Sequence, residues 1–259
     1  MTDPSPPILE LRDISLSFAG VKAIADTSFA VAEGEICGII GPNGAGKSSL
    51  MNVISGVYQP DEGALFFAGE RFKKLTPNLA AKLGIARTTQ NLALFRGLSV
   101  LDNVLLGRTL HTRSGFFAHA LRFGPAAREE REQRALARDI LRFLEIEQYA
   151  DHVVSQLPYG LQKRVELGRA LAAAPKLLLL DEPMAGMTVE EKLELCRFIV
   201  DVNETQGTTV VLIEHDMGVV MDLSDHVVVL EYGRKIGDGE PEDIRSNRGV
   251  IDAYLGIAH

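Results

Sequence analysis

Apolar residues alternate with polar ones at Leu9, Leu11, Ile14, Leu16 and Phe18, the period of a strand that buries one face. A second β-rich stretch over residues 28–31 runs up to Glu33-Gly34, and a third over 64–68 lies between Asp61-Glu62-Gly63 and Gly69-Glu70. Together they predict an antiparallel layer within the first 70 residues. It is interrupted by residues 35–40, an apolar run that ends in a glycine-rich loop, and by a helix-compatible stretch over 48–54. Downstream, helical patterns over 162–174, 189–203 and 217–223 alternate with apolar strand-like runs over 177–180, 209–213 and 227–230. Such alternation predicts parallel strands with crossover helices, hence an α/β core. Residues 227–231 and 234–237, joined at Tyr232-Gly233, read as a hairpin that closes the sheet. No repeat, heptad pattern or low-complexity linker is visible.

Composition narrows the class. The 259 residues are 46% hydrophobic and 24% charged, which is ordinary for a folded chain and argues against disorder or a fibre. Thirty-five acids against 27 bases give a net charge of -8, so affinity for nucleic acid or anionic lipid is not expected. Residues 108–144 run against that balance, with eight arginines, no lysine and four acids. A solvated helical face is the first reading of this segment and a partner-docking surface the second. No apolar span approaches the roughly 18 residues that a membrane helix needs. Residues 1–7 carry Asp3 and three prolines, unlike a secretory signal. Cys37 and Cys196 lie far apart without a CxxC spacing, so neither a zinc site nor a disulfide framework is indicated, and a reducing, cytoplasmic setting is expected.

The chemistry begins at Gly41-Pro42-Asn43-Gly44-Ala45-Gly46-Lys47-Ser48, which fits GxxxxGK[ST], follows an apolar strand and precedes a helix. Glycines let the backbone wrap a polyphosphate so that successive N–H groups point inward, with the helix N-terminus adding positive charge. Lys47 is expected to reach the β- and γ-phosphates and the Ser48 hydroxyl to ligate Mg²⁺, with Ser49 counted in the same nucleotide-binding set. Four leucines then lead to Asp181-Glu182. Asp181 at a strand end would hold the metal through water, and Glu182 would polarise the attacking water as general base.

The order of the loop, Gln90, the segment Leu157-Pro158-Tyr159-Gly160-Leu161-Gln162, Asp181-Glu182-Pro183 and His215 resembles the ATP-binding subunits of ABC transporters. The resemblance covers nearly the whole chain. It implies an α/β P-loop NTPase core with an antiparallel β lobe and an inserted helical lobe, all one domain over 8–256. Core and β lobe would occupy 8–90 and 163–240, the helical lobe 91–162, and a C-terminal helix 241–256. It also implies ATP and Mg²⁺, and two such subunits sandwiching two ATP molecules. Phe18 matches the aromatic that stacks on adenine, Gln90 the lid glutamine that contacts the metal, and His215 the switch histidine that bonds the γ-phosphate. His111, His119, His152, His226 and His259 have no such context.

The signature segment departs from the family's usual Leu-Ser-Gly-Gly-Gln, because Pro158, Tyr159 and Leu161 replace serine, glycine and glutamine and leave only Gly160 in register. Proline offers neither hydroxyl nor N–H. Contact with the opposite subunit's ATP would then lean on backbone around Gly160 and on a helix beginning near Gln162. Thr188 stands where many relatives carry aspartate. The strings Arg87-Thr88-Thr89-Gln90-Asn91, Leu157-Pro158-Tyr159-Gly160 and Asp181-Glu182-Pro183-Met184-Ala185-Gly186-Met187 look like the first of the two ATPase subunits of branched-chain amino acid importers. That likeness implies two integral membrane permease subunits, a second ATPase subunit, an extracytoplasmic solute-binding protein and no nucleic acid. The location implied is cytoplasmic, peripheral on the inner face of the membrane. Amide or urea import, lipopolysaccharide export, and a scaffold ATPase are the alternatives.

Overall fold

The structure, a computed structural model, describes residues 7–89, 92–109 and 125–255. Strands β1 (Leu9–Phe18), β2 (Val21–Val31), β4 (Glu62–Phe67) and β5 (Glu70–Phe72) make an antiparallel layer in the order β2-β1-β4-β5. Leu9, Leu11, Ile14 and Leu16 all face the core, although Leu11 and Ile14 are three apart. A register shift between them, with Asp13 at φ +53°, supplies the extra residue and keeps both inward. β2 starts well before residue 28, because its first half pairs with β1 while Val21 stays in solvent.

The second sheet is β3 (Ile36–Ile40), β6 (Ile85–Arg87), β7 (Leu177–Asp181), β8 (Thr209–Ile213), β9 (His226–Glu231) and β10 (Arg234–Gly239), ordered β10-β9-β3-β8-β7-β6. All neighbours run parallel except the β9–β10 hairpin. β3, β7 and β8 are buried throughout, which is why they read as continuous apolar runs. Leu177 and Leu179 pack towards the antiparallel layer and helix α1 (Lys47–Ile54). Leu178 and Leu180 point to the opposite face.

That opposite face is covered by α3 (Val100–Gly107), α4 (Pro125–Phe143), α5 (Tyr159–Leu171) and α6 (Val189–Gln206). Helix α5 starts at Tyr159 rather than near Gln162, with Pro158 at its N-cap. A proline's fixed φ and missing N–H cost nothing there. The expected lobe boundary at 162/163 therefore falls inside one helix. Of the arginine-rich segment, residues 110–124 lie outside the described ones. In the remainder, Arg128, Arg134, Arg138 and Arg142 each lie within 4 Å of a carboxylate, so the local positive charge is largely matched.

The residue pattern did not predict β5, β6, α3 or helix α2 (Pro77–Leu83), which is capped by Thr76. After α7 (Met217–Leu223), the C-terminal stretch forms two helices rather than one, α8 (Pro241–Ser246) and α9 (Arg248–Leu255). Asn247 sits extended between them, and its side chain accepts from Gly249 and Val250 N–H, so it ends one helix and caps the next.

At the end of the core sheet away from the glycine-rich loop, His226 lies opposite Cys37 in β3. Its Nε2 is 2.5 Å from Asp238 and its Nδ1 3.4 Å from Glu35. The Asp238 bond, with Cys37 and Glu35 adding to it, pushes the imidazole pKa up to about 12. His226 thus has a structural role that its sequence context did not indicate. Both cysteines are free. Among the described residues no helix is long and apolar enough to cross a membrane.

Candidate nucleotide site

The loop after β3 is shaped by close approach as much as by torsion. Gly46 has φ +101°, and a Cβ there would lie 2.3 Å from the carbonyl oxygen of Ala23; one at Gly41 would lie 2.1 Å from that of Leu230. The hairpin turn between β9 and β10 pegs the loop in place. Gly233 N–H donates to Ala45 O at 3.0 Å, and its own carbonyl accepts from Ala25 N–H and the Thr27 hydroxyl. Gly46 caps α1 without any side-chain bond, leaving the first-turn N–H groups for a ligand.

A cavity of about 220 Å³ is lined by the loop from Asn43 to Ser49 together with Ala23, Glu182 and His215. Lys47 is folded over the loop, with Nζ donating to Gly41 O at 2.7 Å and Pro42 O at 3.1 Å. Burial holds its pKa below the ordinary lysine value, against the opposing pull of the Glu182 and Asp181 charges. Glu182 follows β7 in the left-handed region, at φ +49°, and its Oε1 accepts from His215 Nε2 at 2.8 Å. That bond requires the ring proton on Nε2.

Asp181 ends β7 buried. Its Oδ2 accepts from Arg87 Nη2 at 2.8 Å, while Oδ1 is buried without a partner. An orphaned buried carboxylate oxygen at the strand end fits a hard cation that is held partly through water. Among the described residues no cluster of three or more His, Cys, Asp or Glu could hold a metal.

Phe18 and Gly160 are not in the wall of this cavity, and for Gly160 the expected contact is with the nucleotide of the opposite subunit. The Phe18 ring is 42% exposed, stands edge-on to Tyr58 at 5.1 Å, and is not part of the cavity wall. Gly160 is buried in the first turn of α5, where a Cβ would lie 2.1 Å from Glu191 Oε1. Thr188 caps α6 in a reciprocal box with Glu191. Gln90 lies outside the described residues.

Three contributors were not singled out by sequence reasoning. Glu214 accepts from Met184 N–H at 2.7 Å and His215 N–H at 3.2 Å, and burial pushes its pKa up. Its signal was an acid ending an apolar strand just before the histidine. Glu166, buried in α5 beside Lys163, accepts from Thr89 and Ala93 N–H and so grips the chain on both sides of position 90. Arg87 ties Asp181 to α1 through Asn52 and Ser55.

Residues 24–185 match the family model described as ABC transporter. The chain belongs to the ABC transporter family. As an ATP-hydrolysing cassette of that family it also matches, over residues 234–259, the model described as branched-chain amino acid ATP-binding cassette transporter. It is 37% identical over 254 residues to the high-affinity branched-chain amino acid transport ATP-binding protein BraF of Pseudomonas aeruginosa, covering 98% of this chain and 100% of that one. LivG of Escherichia coli, named for the same transport, is 35% identical with the same coverage. Among solved structures, a nucleotide-free ATP-binding cassette from an ABC transporter superposes with TM-score 0.83 at 30% identity, covering 98% of this chain and 100% of that chain. The dimeric cassette MJ0796 bound to ADP and Pi gives TM-score 0.75 at 25% identity, with 90% and 98% covered.

Proposed function

We propose that this cassette energises the uptake of branched-chain or other hydrophobic amino acids, working as one of two ATPase subunits beneath two membrane permeases on the inner face of the cell membrane. The observation that carries this reading is the full-length similarity to BraF and LivG, which extends into the C-terminal segment. An extracytoplasmic solute-binding protein would deliver the cargo. Residues 8–256 act as one domain, in which a groove of about 400 Å³ between Arg87 on the core side and Leu106 and Arg169 on the helical side receives a permease segment.

In the reaction, water attacks the γ-phosphorus as the bond to the bridging oxygen breaks, giving ADP and inorganic phosphate. Glu182 orients the water and takes up its proton, and His215 holds that carboxylate and reaches the γ-phosphate. Lys47 exchanges its loop carbonyls for phosphate oxygens, and the first-turn N–H groups of α1 bind the rest. Ser48, Gln90 and Asp181 would hold Mg²⁺, which supplies charge neutralisation on the phosphates. Phe18 packs the base, and backbone N–H groups near Gly160 address the nucleotide of the opposite subunit. Purification from native membranes, with uptake assays on labelled leucine, isoleucine and valine, tests the reading. Membrane partners whose vesicles transport an amide or export a lipid instead would overturn the substrate class.

A further inference from the structure

We propose that Arg87 is a positioning residue that joins the wall of the inter-lobe groove to Asp181, so that what occupies the groove is felt at the metal side of the nucleotide site. The groove half of this rests on the permease reading above.

Arg87 is the last residue of β6, the edge strand of the core sheet. Its guanidinium faces two ways. Towards the core, Nη2 donates to Asp181 Oδ2 at 2.8 Å, and Nη1 donates to Asn52 Oδ1 at 2.6 Å and Ser55 Oγ at 2.9 Å. Asn52 lies in α1 and Ser55 caps its C-terminus, and the first residues of that helix are Lys47 and Ser48. Towards the outside, Arg87 and Ser55 both line the groove, with Thr89 beside them and Arg169 across from them.

A single planar cation therefore touches the groove, the helix that carries the phosphate loop, and the carboxylate beside the metal. Because Oδ2 is committed to Arg87, Oδ1 is the oxygen left free for a metal, and it is the one without a partner. The guanidinium thus decides which carboxylate oxygen is offered. Lysine cannot substitute for it, since an ammonium is a point charge and cannot span three acceptors in one plane. One guanidinium N–H, at Nε, is buried and unbonded, so the fork is held by its two Nη groups alone and a small rotation would loosen its hold on Asp181. A segment pressing on Arg87 from the groove can produce that rotation.

The test uses Arg87→Met, which removes the fork at similar volume, and Arg87→Lys, which keeps only the charge. Mn²⁺ binding to the isolated subunit with ATP, followed by electron paramagnetic resonance, should weaken about tenfold or more in the Met variant. ATP binding without metal should stay within about twofold of wild type, since no phosphate contact is removed. Unchanged or tighter Mn²⁺ binding in a folded variant overturns the proposal. If the Met variant does not fold, the Lys variant decides on the same criterion. In the complex reconstituted with its membrane subunits, Arg87→Lys should lose permease-dependent stimulation of hydrolysis, and full stimulation would overturn the link to the groove. Failure of the wild-type complex to assemble would count against the permease reading alone, leaving the Mn²⁺ result to judge the link to Asp181.

Discussion

Glu182 combines a strained backbone, at φ +49°, with a carboxylate held by His215, and strain of this kind persists only where surrounding contacts impose it. Here Ile213 O holds the Glu182 N–H at 2.9 Å. Glu182→Gln keeps the shape and removes the proton acceptor. Phosphate release should fall about 100-fold or more, with ATP binding retained in an equilibrium dialysis assay; vigorous turnover would reject Glu182 as the base. Lys47 bonds two loop carbonyls and has a depressed pKa because it is buried. Lys47→Ala deletes the one lysine or arginine of the cavity wall among the described residues, so ATP affinity measured by calorimetry should drop about tenfold or more. An unchanged dissociation constant would contradict the role given to the loop.

At the level of elements, α5 and α6 meet where Gly160 lies beneath Glu191. A methyl at 160 cannot fit without moving the carboxylate that closes the Thr188 capping box. Gly160→Ala should therefore destabilise the N-terminus of α6 by about 1 kcal/mol, the usual worth of a cap, read as a lower melting temperature. In a Glu191→Ala background, where the box is already open and the clash is gone, Gly160→Ala should cost markedly less. Glu166 offers a second test. Glu166→Ala frees the amides of Thr89 and Ala93, whose hydrogen exchange should quicken while that of β7 holds.

These contacts also mark how far the sequence could be read. The core strands were legible because β3, β7 and β8 are buried on both faces, and the phosphate loop because glycine is required where its backbone meets Ala23 and Leu230. β6 is only three residues long and its pairing partner, β7, is ninety residues away, so nothing local announces it. The arginine that ends it looked like part of a subfamily string, whereas its role comes from three partners on two other elements. Helix α5 was placed three residues late because Pro158 was weighed only for the hydroxyl and N–H it lacks, whereas it sits at the helix N-cap. Phe18 was matched by position, and position alone could not reveal that its ring leans on Tyr58.

Across the whole molecule, the His226 cluster ties β3, β9 and β10 and makes stability depend on pH. The folded imidazole pKa is raised from 6.5 to about 12, so its contribution is complete below 6.5 and is lost as pH rises towards 12. The Asp238 and Glu35 carboxyls are held low, partly by the same histidine, and their share is lost as pH falls through the acid range. Wild type should exceed His226→Asn in stability most clearly near about pH 6, and the gap should narrow by about pH 9. Urea melts at both values check this, and a gap of constant size would refute it.

The peg at Gly233 bears on protein engineering. Residues 41–49 read as a portable cassette of phosphate chemistry, yet their shape is held by a turn that the chain reaches only after laying down every core strand but β10. A designer who transplants the loop into another scaffold would copy the letters and leave behind the clasp. The graft would need its own buried carbonyl acceptor and donor at the place of Gly233, or the glycines would be free to relax out of the phosphate-binding shape.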